Sequence, residues 1–136
     1  MSKQKKQILD RQRELQANGW SWNTQNFHSV DPHSGHETMR HYLVKCAVAN
    51  IIANRSGRFV TEATHNDRGQ ADVIDLRYDE PKAVIYEIET GCDRGQRVSK
   101  ARQYEGPKIR DTFIIDPLEA PDSLDGLTEW VKGEME

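Results

Sequence analysis

Three carboxylates stand where strands would otherwise be apolar. In Ala83–Thr90, AVIYEIET, an apolar run leads into Glu87, Ile88 and Glu89, and the two-residue period of a strand sets both glutamates on one face. Asp72 begins a second such stretch, DVIDL, with Val73 behind it. Burying unpaired carboxylates is costly, so carboxylates at these positions require a compensating charge. If the two stretches are hairpin neighbours, Asp72 and Glu87 converge at one end of the sheet. Clustered oxygen donors suit a hard divalent ion such as Mg²⁺, which keeps several waters and takes one or two carboxylates plus a substrate phosphate. An ion so held activates water and offsets charge on a phosphodiester under in-line attack. The competing reading is a solvated strand end paired with Arg68 or Arg97, and surface pairs of that kind contribute little.

Other residue types bear on the same chemistry. Arg94, Arg97, Lys100, Arg102, Lys108 and Arg110 follow the Glu87 strand. On a helix Arg97, Lys100 and Tyr104 share a face flanked by Gln96 and Gln103. Taken alone this run is a solvated helix face; after an acidic strand it reads as a phosphate-contacting surface. Trp20 and Trp22 suit stacking on bases or packing of an arm on the core. His28, His33, His36, His41 and Cys46 do not show the paired spacing of a structural zinc site. His65, in a turn before Asp72, is within chain reach of a scissile phosphate.

The elements that must position these groups follow from periodicity. Lys3–Gln16 reads as a short amphipathic helix ended by Asn18-Gly19. The polar, turn-rich arm after it carries Trp20, Trp22 and Phe27. A largely buried helix is expected over His36–Asn54, with Met39, Leu43, Cys46, Ala47 and Ile51 on one face and Val48 and Ile52 widening it. Ser34 and Glu37 have capping-box spacing at its start, and Ser56-Gly57 stops it. Strands follow over Arg58–Thr64, Ala71–Tyr78 and Ala83–Thr90, and their short connections imply an antiparallel meander. A helix over Asp93–Tyr104, a short strand over Thr112–Ile115, and a last helix capped by Ser123 with Leu124, Leu127 and Trp130 inward complete the order. The expected fold class is α/β, a mixed four-stranded sheet flanked by helices (α-βββ-α-β). Residues 1–35 form an N-terminal helix and arm, and residues 36–136 a single domain.

On these residues the chain resembles the PD-(D/E)xK nuclease superfamily, which includes restriction endonucleases and archaeal Holliday-junction resolvases. The resemblance spans roughly residues 36–116. It implies a restriction-endonuclease-like core in which RGQADVID corresponds to the Asp motif, with Ala71 in place of Pro, and YEIET to the Glu-x-Lys strand. By position Asp72 and Glu87 would be metal ligands, with the carbonyl of Ile88 supplying another, and Glu37 matches an additional acid that some members carry on the first helix. The chain departs from the pattern at Glu89, which occupies the lysine position with the opposite charge. Some members supply that lysine from the following helix, and Lys100 is the residue placed to do so. The resemblance implies a Mg²⁺- or Mn²⁺-dependent DNA endonuclease in which Asp72, Glu87, Glu89, Lys100 and Glu37 are catalytic. Arg94, Arg97, Lys100, Arg102 and Tyr104 would contact nucleic acid. The alternative is a nuclease-fold protein without turnover, serving as a DNA-binding or regulatory module.

Composition and charge set the outer limits. The chain has 136 residues, room for one domain with its own core and little left for a separate sequence-reading unit, so recognition of DNA structure such as branches or ends is expected. Cutting two strands symmetrically implies a homodimer. Only 35% of residues are apolar and 30% are charged, and the longest mainly apolar stretch, Tyr42–Ala53, is too short for a bilayer. The charged N-terminus lacks the apolar centre of a secretory signal, and two cysteines are too few for a disulfide framework; a cytoplasmic protein is expected. The net charge of −3 argues at first against a polyanionic partner. It is unevenly spread: residues 1–35 and 36–110 each carry +2, and residues 111–136 carry −7.

Overall fold

The computed structural model describes residues 2–31, 37–55, 57–77 and 79–136. Helix α1, Lys3–Ala17, begins where the Ser2 hydroxyl accepts a hydrogen bond from the Lys5 amide. Its buried side is Ile8, Arg11 and Leu15. Arg11 donates to the carbonyls of Leu76 and Glu80, which ties the helix to the sheet. Gly19, at φ +98°, reverses the chain, and the two residues after it form a short strand, β1 (Trp20–Ser21).

Helix α2, Met39–Asn54, starts later than the sequence periodicity suggests. Its cap is Thr38, whose hydroxyl accepts from the His41 amide at 3.0 Å. Ser34 and His36, expected to open this helix, lie outside the described residues, as does Ser56 at its end; Glu37 precedes the cap instead of standing within a capping box. The buried stripe is Val44, Val48, Ala49, Ile51 and Ile52, joined by Lys45, while Met39 is exposed. The buried stripe is rotated from the expected one, toward Val44 and Lys45 and away from Met39.

Strands β2 (Phe59–His65), β3 (Gly69–Asp75) and β4 (Ala83–Ile88) form the expected antiparallel meander. Helix α3 (Arg94–Gln103) then carries the chain to β5 (Ile109–Ile115), which runs parallel to β4; a crossover of this kind is how parallel neighbours are joined. Among the described residues the sheet has five strands in the order β1-β2-β3-β4-β5, one more than expected. The addition is β1, where Trp20 pairs with His65 and Ser21 with Thr64. Two residues are too few to show an alternating pattern, so this strand was illegible in the sequence. Helix α4, Leu124–Glu134, follows Ser123, whose side chain makes no capping bond. Leu127 and Val131 turn inward and Trp130 packs beside them, but Leu124 is exposed rather than inward.

Apolar clusters cover both faces of the sheet. One holds Val48, Ile52, Val73, Tyr86 and Ile115 beneath α2 and α4; the other holds Leu15, Trp20, Val60, Ile74, Ile85 and Tyr104 beneath α1. The fold is therefore α/β with a mixed, open sheet. No helix among the described residues is long and apolar enough to cross a membrane.

Candidate functional site

The pairing of β3 with β4 runs from Asp75↔Val84 to Val73↔Tyr86. One step further, side chains take over from the backbone ladder. The Asp72 amide donates to Glu87 Oε1 at 2.9 Å, and the Ile88 amide donates to Asp72 Oδ2 at 2.8 Å. Each carboxylate thus caps an amide beside the other, and the two are locked together at this end of the strands. The expected juxtaposition of Asp72 and Glu87 is present.

Alternation also breaks at this level. Ala71 and Val73, two residues apart, belong to opposite apolar clusters, whereas Val60 and Ala63, three apart, share one. The break in β2 falls at Glu62, which adopts φ 53°, a left-handed conformation disfavoured for a side chain with a Cβ. Such conformations cost of order 1–3 kcal/mol and persist only where surrounding contacts hold them. Here the contact is Lys45, whose Nζ lies 2.8 Å from Glu62 Oε1 and 3.2 Å from Glu37 Oε2.

The α2 face toward Asp72 is a polar stripe at helical spacing: Glu37 just before the helix, then His41 and Lys45. His41 joins Glu37 Oε2 at 2.9 Å and the Ile88 carbonyl at 3.0 Å, with Asp72 Oδ2 3.9 Å from its Nε2. Burial opposes the charge on Lys45, but Glu62 and Glu37 outweigh it and raise its pKa. Burial likewise works to raise Glu37, yet the bond to Lys45 and the neighbouring charges hold it below its usual value. Burial raises Asp72. Burial, then repulsion from Asp72, pushes Glu87 up to about 8. Lys100 works to lower Glu87, and His41 and Lys45 on the α2 side work to lower Asp72, but burial outweighs them in both.

His41, Lys45 and Glu62 are members of this site that sequence reasoning missed. Glu37, just before the helix, and His41 and Lys45 within it recur at intervals of four beside inward residues that are otherwise apolar, and that stripe is the available signal. Glu62 carried none, since nothing local announces a left-handed strand residue.

Glu89 and Lys100 stand on the other side of the pair. Lys100 Nζ is 3.7 Å from Glu89 Oε2, so α3 does bring a lysine beside the residue at the expected lysine position. Arg97 pairs with Glu119 at 3.2 Å, while Arg94 and Arg102 are exposed. Tyr104, expected on the nucleic-acid face, is buried instead: its hydroxyl donates to the Gln70 carbonyl at 2.7 Å and its ring lies against Trp20. Burial, then the charges of Glu87 and Asp72, raise its pKa further. His65 is also withdrawn from any phosphate. Its Nε2 meets the Asn18 carbonyl at 2.8 Å and its Nδ1 accepts from the Asp67 amide at 3.1 Å, so it holds the end of α1.

A cleft of about 680 Å³ opens in front of Asp72. Glu37, His41, Lys45, Glu62 and Asp72 form one wall, and the arm supplies Ser21, Trp22, Asn23 and Asn26. Among the described residues no group of three or more His, Cys, Asp and Glu side chains is arranged around one metal position. Asp72 and Glu87, with the Ile88 carbonyl beside them, are the oxygen groups gathered at this strand end, and two carboxylates would suit Mg²⁺ completed by water and substrate oxygens. Compared with protein-family models, curated proteins and solved structures, the chain has no match.

Proposed function

We propose that this protein is a divalent-metal-dependent DNA endonuclease with a restriction-endonuclease-like core, hydrolysing phosphodiester bonds at the end of β3 and β4. The observation that carries the reading is the interlocked pair: a buried Glu87 and a partly buried Asp72, each bound to an amide beside the other, with Glu87 pushed up to about 8 by burial and then by repulsion from Asp72. A divalent cation would relieve that repulsion, and Asp72, Glu87 and the Ile88 carbonyl are the groups that would hold it. When bound, Mg²⁺ or Mn²⁺ supplies an acidified water and neutralises charge on the phosphate. His41 steadies the Ile88 carbonyl and, through Glu37, the approach from α2. Lys100, beside Glu89, offers positive charge to the phosphate on the α3 side. Arg94, Arg97 and Arg102 contact the flanking backbone. Cutting two strands takes two copies of the chain, and a homodimer belongs to the proposal.

The second reading, a DNA-binding or regulatory module without turnover, rests on Glu89, which puts a carboxylate where a lysine would orient water. Purified protein incubated at low salt with duplex, single-stranded and branched DNA in Mg²⁺ or Mn²⁺ separates the two. Cleavage is expected, stopped by chelation and reduced at least about a thousandfold by Asp72→Asn or Glu87→Gln, with the melting transition retained. Binding without cleavage of any substrate in either metal overturns the enzyme reading in favour of the module.

A further inference from the structure

The cleft in front of Asp72 holds more than a metal-binding pair requires. Its arm wall contains Trp22, half-buried and packed on the α1-side core, whereas Trp20 two residues earlier is fully enclosed against His65 and Tyr104. The pairing of β1 with β2 covers Trp20 and Ser21, and Trp22 just beyond it packs on the same cluster while also lining the cleft. Asn23, Thr64 and Gln70 add exposed amide and hydroxyl groups at the rim. An aromatic held by packing beside donors and acceptors in both directions suits a flat, neutral heterocycle.

Charge decides which part of a nucleotide enters. Away from the cation position at Asp72, the lining carries Asp31, Glu37 and Glu62 against Lys45 alone, so a phosphate is repelled from that part of the cleft and a neutral base is not. Phosphates have another place. The C-terminal end of α3 is fastened beside the cleft-lining Gln70, with Gln103 donating to the Arg68 carbonyl and Tyr104 to the Gln70 carbonyl, and the same helix carries the exposed Arg94 and Arg102.

We infer that the cleft binds one unpaired base of a DNA strand whose backbone runs along α3, so that the substrate is DNA containing an unpaired nucleotide next to the bond cut. This deepens the nuclease reading and rests on it for the position of the cut; the base pocket itself is testable by binding alone. Affinities are measured by fluorescence anisotropy in chelator, where nothing turns over. The probes are a labelled fully paired duplex, the same duplex with one extra adenosine, and that duplex with an abasic nucleotide in its place; competition by dAMP is measured alongside.

The extra adenosine is expected to tighten binding by about 5- to 150-fold, the range for stacking one base on an aromatic side chain, and the abasic probe to lose that gain. Trp22→Ala abolishes the preference and Trp22→Phe keeps most of it. The abasic comparison uses wild-type protein, so it decides the matter even if Trp22→Ala fails to fold. Equal affinity for paired and extra-base duplexes overturns the inference, as does a preference that survives in folded Trp22→Ala. Binding of dAMP as tight as that of the extra-base duplex overturns the strand path along α3. A base preference in a protein that cleaves nothing leaves the pocket standing and removes the nuclease; cleavage with no base preference does the reverse.

Discussion

Lys45 shows how one side chain can organise a site by joining two carboxylates. Its stem lies among the apolar residues of α2 and its ammonium group joins Glu37 before the helix to Glu62 on β2. Without that bridge, two carboxylates share a wall of the cleft with Asp72, and the left-handed Glu62 loses the contact holding it. Lys45→Met keeps the stem and removes the charge. We expect it to destabilise the fold by roughly 1–3 kcal/mol in urea denaturation, less than a fully buried pair would lose because both glutamates are partly exposed. Adding Glu62→Gln to Lys45→Met should restore part of the loss. A Lys45→Met protein as stable as wild type would show that the bridge is idle. Legibility at this scale is uneven: Asp72 and Glu87 announce themselves as acids in apolar strands, whereas Lys45 does not, because its partner Glu62 lies on another element.

Among the elements, β3 is flanked on both sides and carries the consequences of being central. Asp75 pairs in register with Phe59 on β2 and Val84 on β4, and is 5% exposed. Burial outweighs its bond from the Arg77 amide and the Arg77 charge, and its pKa rises from 3.8 to about 6. Between those values the folded chain binds more protons than the unfolded one, so this group stabilises the fold at low pH and loses that contribution as pH rises through about 6. The two-unit difference corresponds to roughly 2–3 kcal/mol. Asp75→Asn retains an acceptor for the Arg77 amide but does not titrate. Its stability relative to wild type should therefore increase by about that amount between pH 4 and pH 7.5, measured by denaturant titration at each pH. A constant difference across that range would sink the assignment. The strands of this central meander are legible because short apolar runs are bounded by turn residues; β1 is not, because only its pairing with β2 defines it.

For the whole molecule, the question is where the acidic C-terminal segment lies. Helix α4 packs with α2 in the cluster opposite α1, and Arg97–Glu119 ties the segment to the beginning of α3. Arg94 and Arg102 remain exposed, so the basic surface is not covered along its length. If α3 tracks the DNA backbone through Arg94, Arg97, Lys100 and Arg102, the logarithm of affinity for duplex should fall with the logarithm of salt concentration with a slope of about −3 to −4. Arg94→Ala with Arg102→Ala should reduce that slope by about 2 while leaving the preference among DNA structures in place. An unchanged slope would move the phosphate path elsewhere.

Sequence alone determined the order α-βββ-α-β, the antiparallel meander, and Asp72 and Glu87 as acids meeting at one sheet end, because periodicity and turn residues are local properties. Tertiary structure decided the rest. It set Lys45 and His41 against Asp72, buried Tyr104, gave Trp20 to the core and Trp22 to the cleft, and turned Glu62 left-handed. Each of these depends on a partner at least a strand away in the chain, and burial or a paired charge exists only once the fold has brought that partner near.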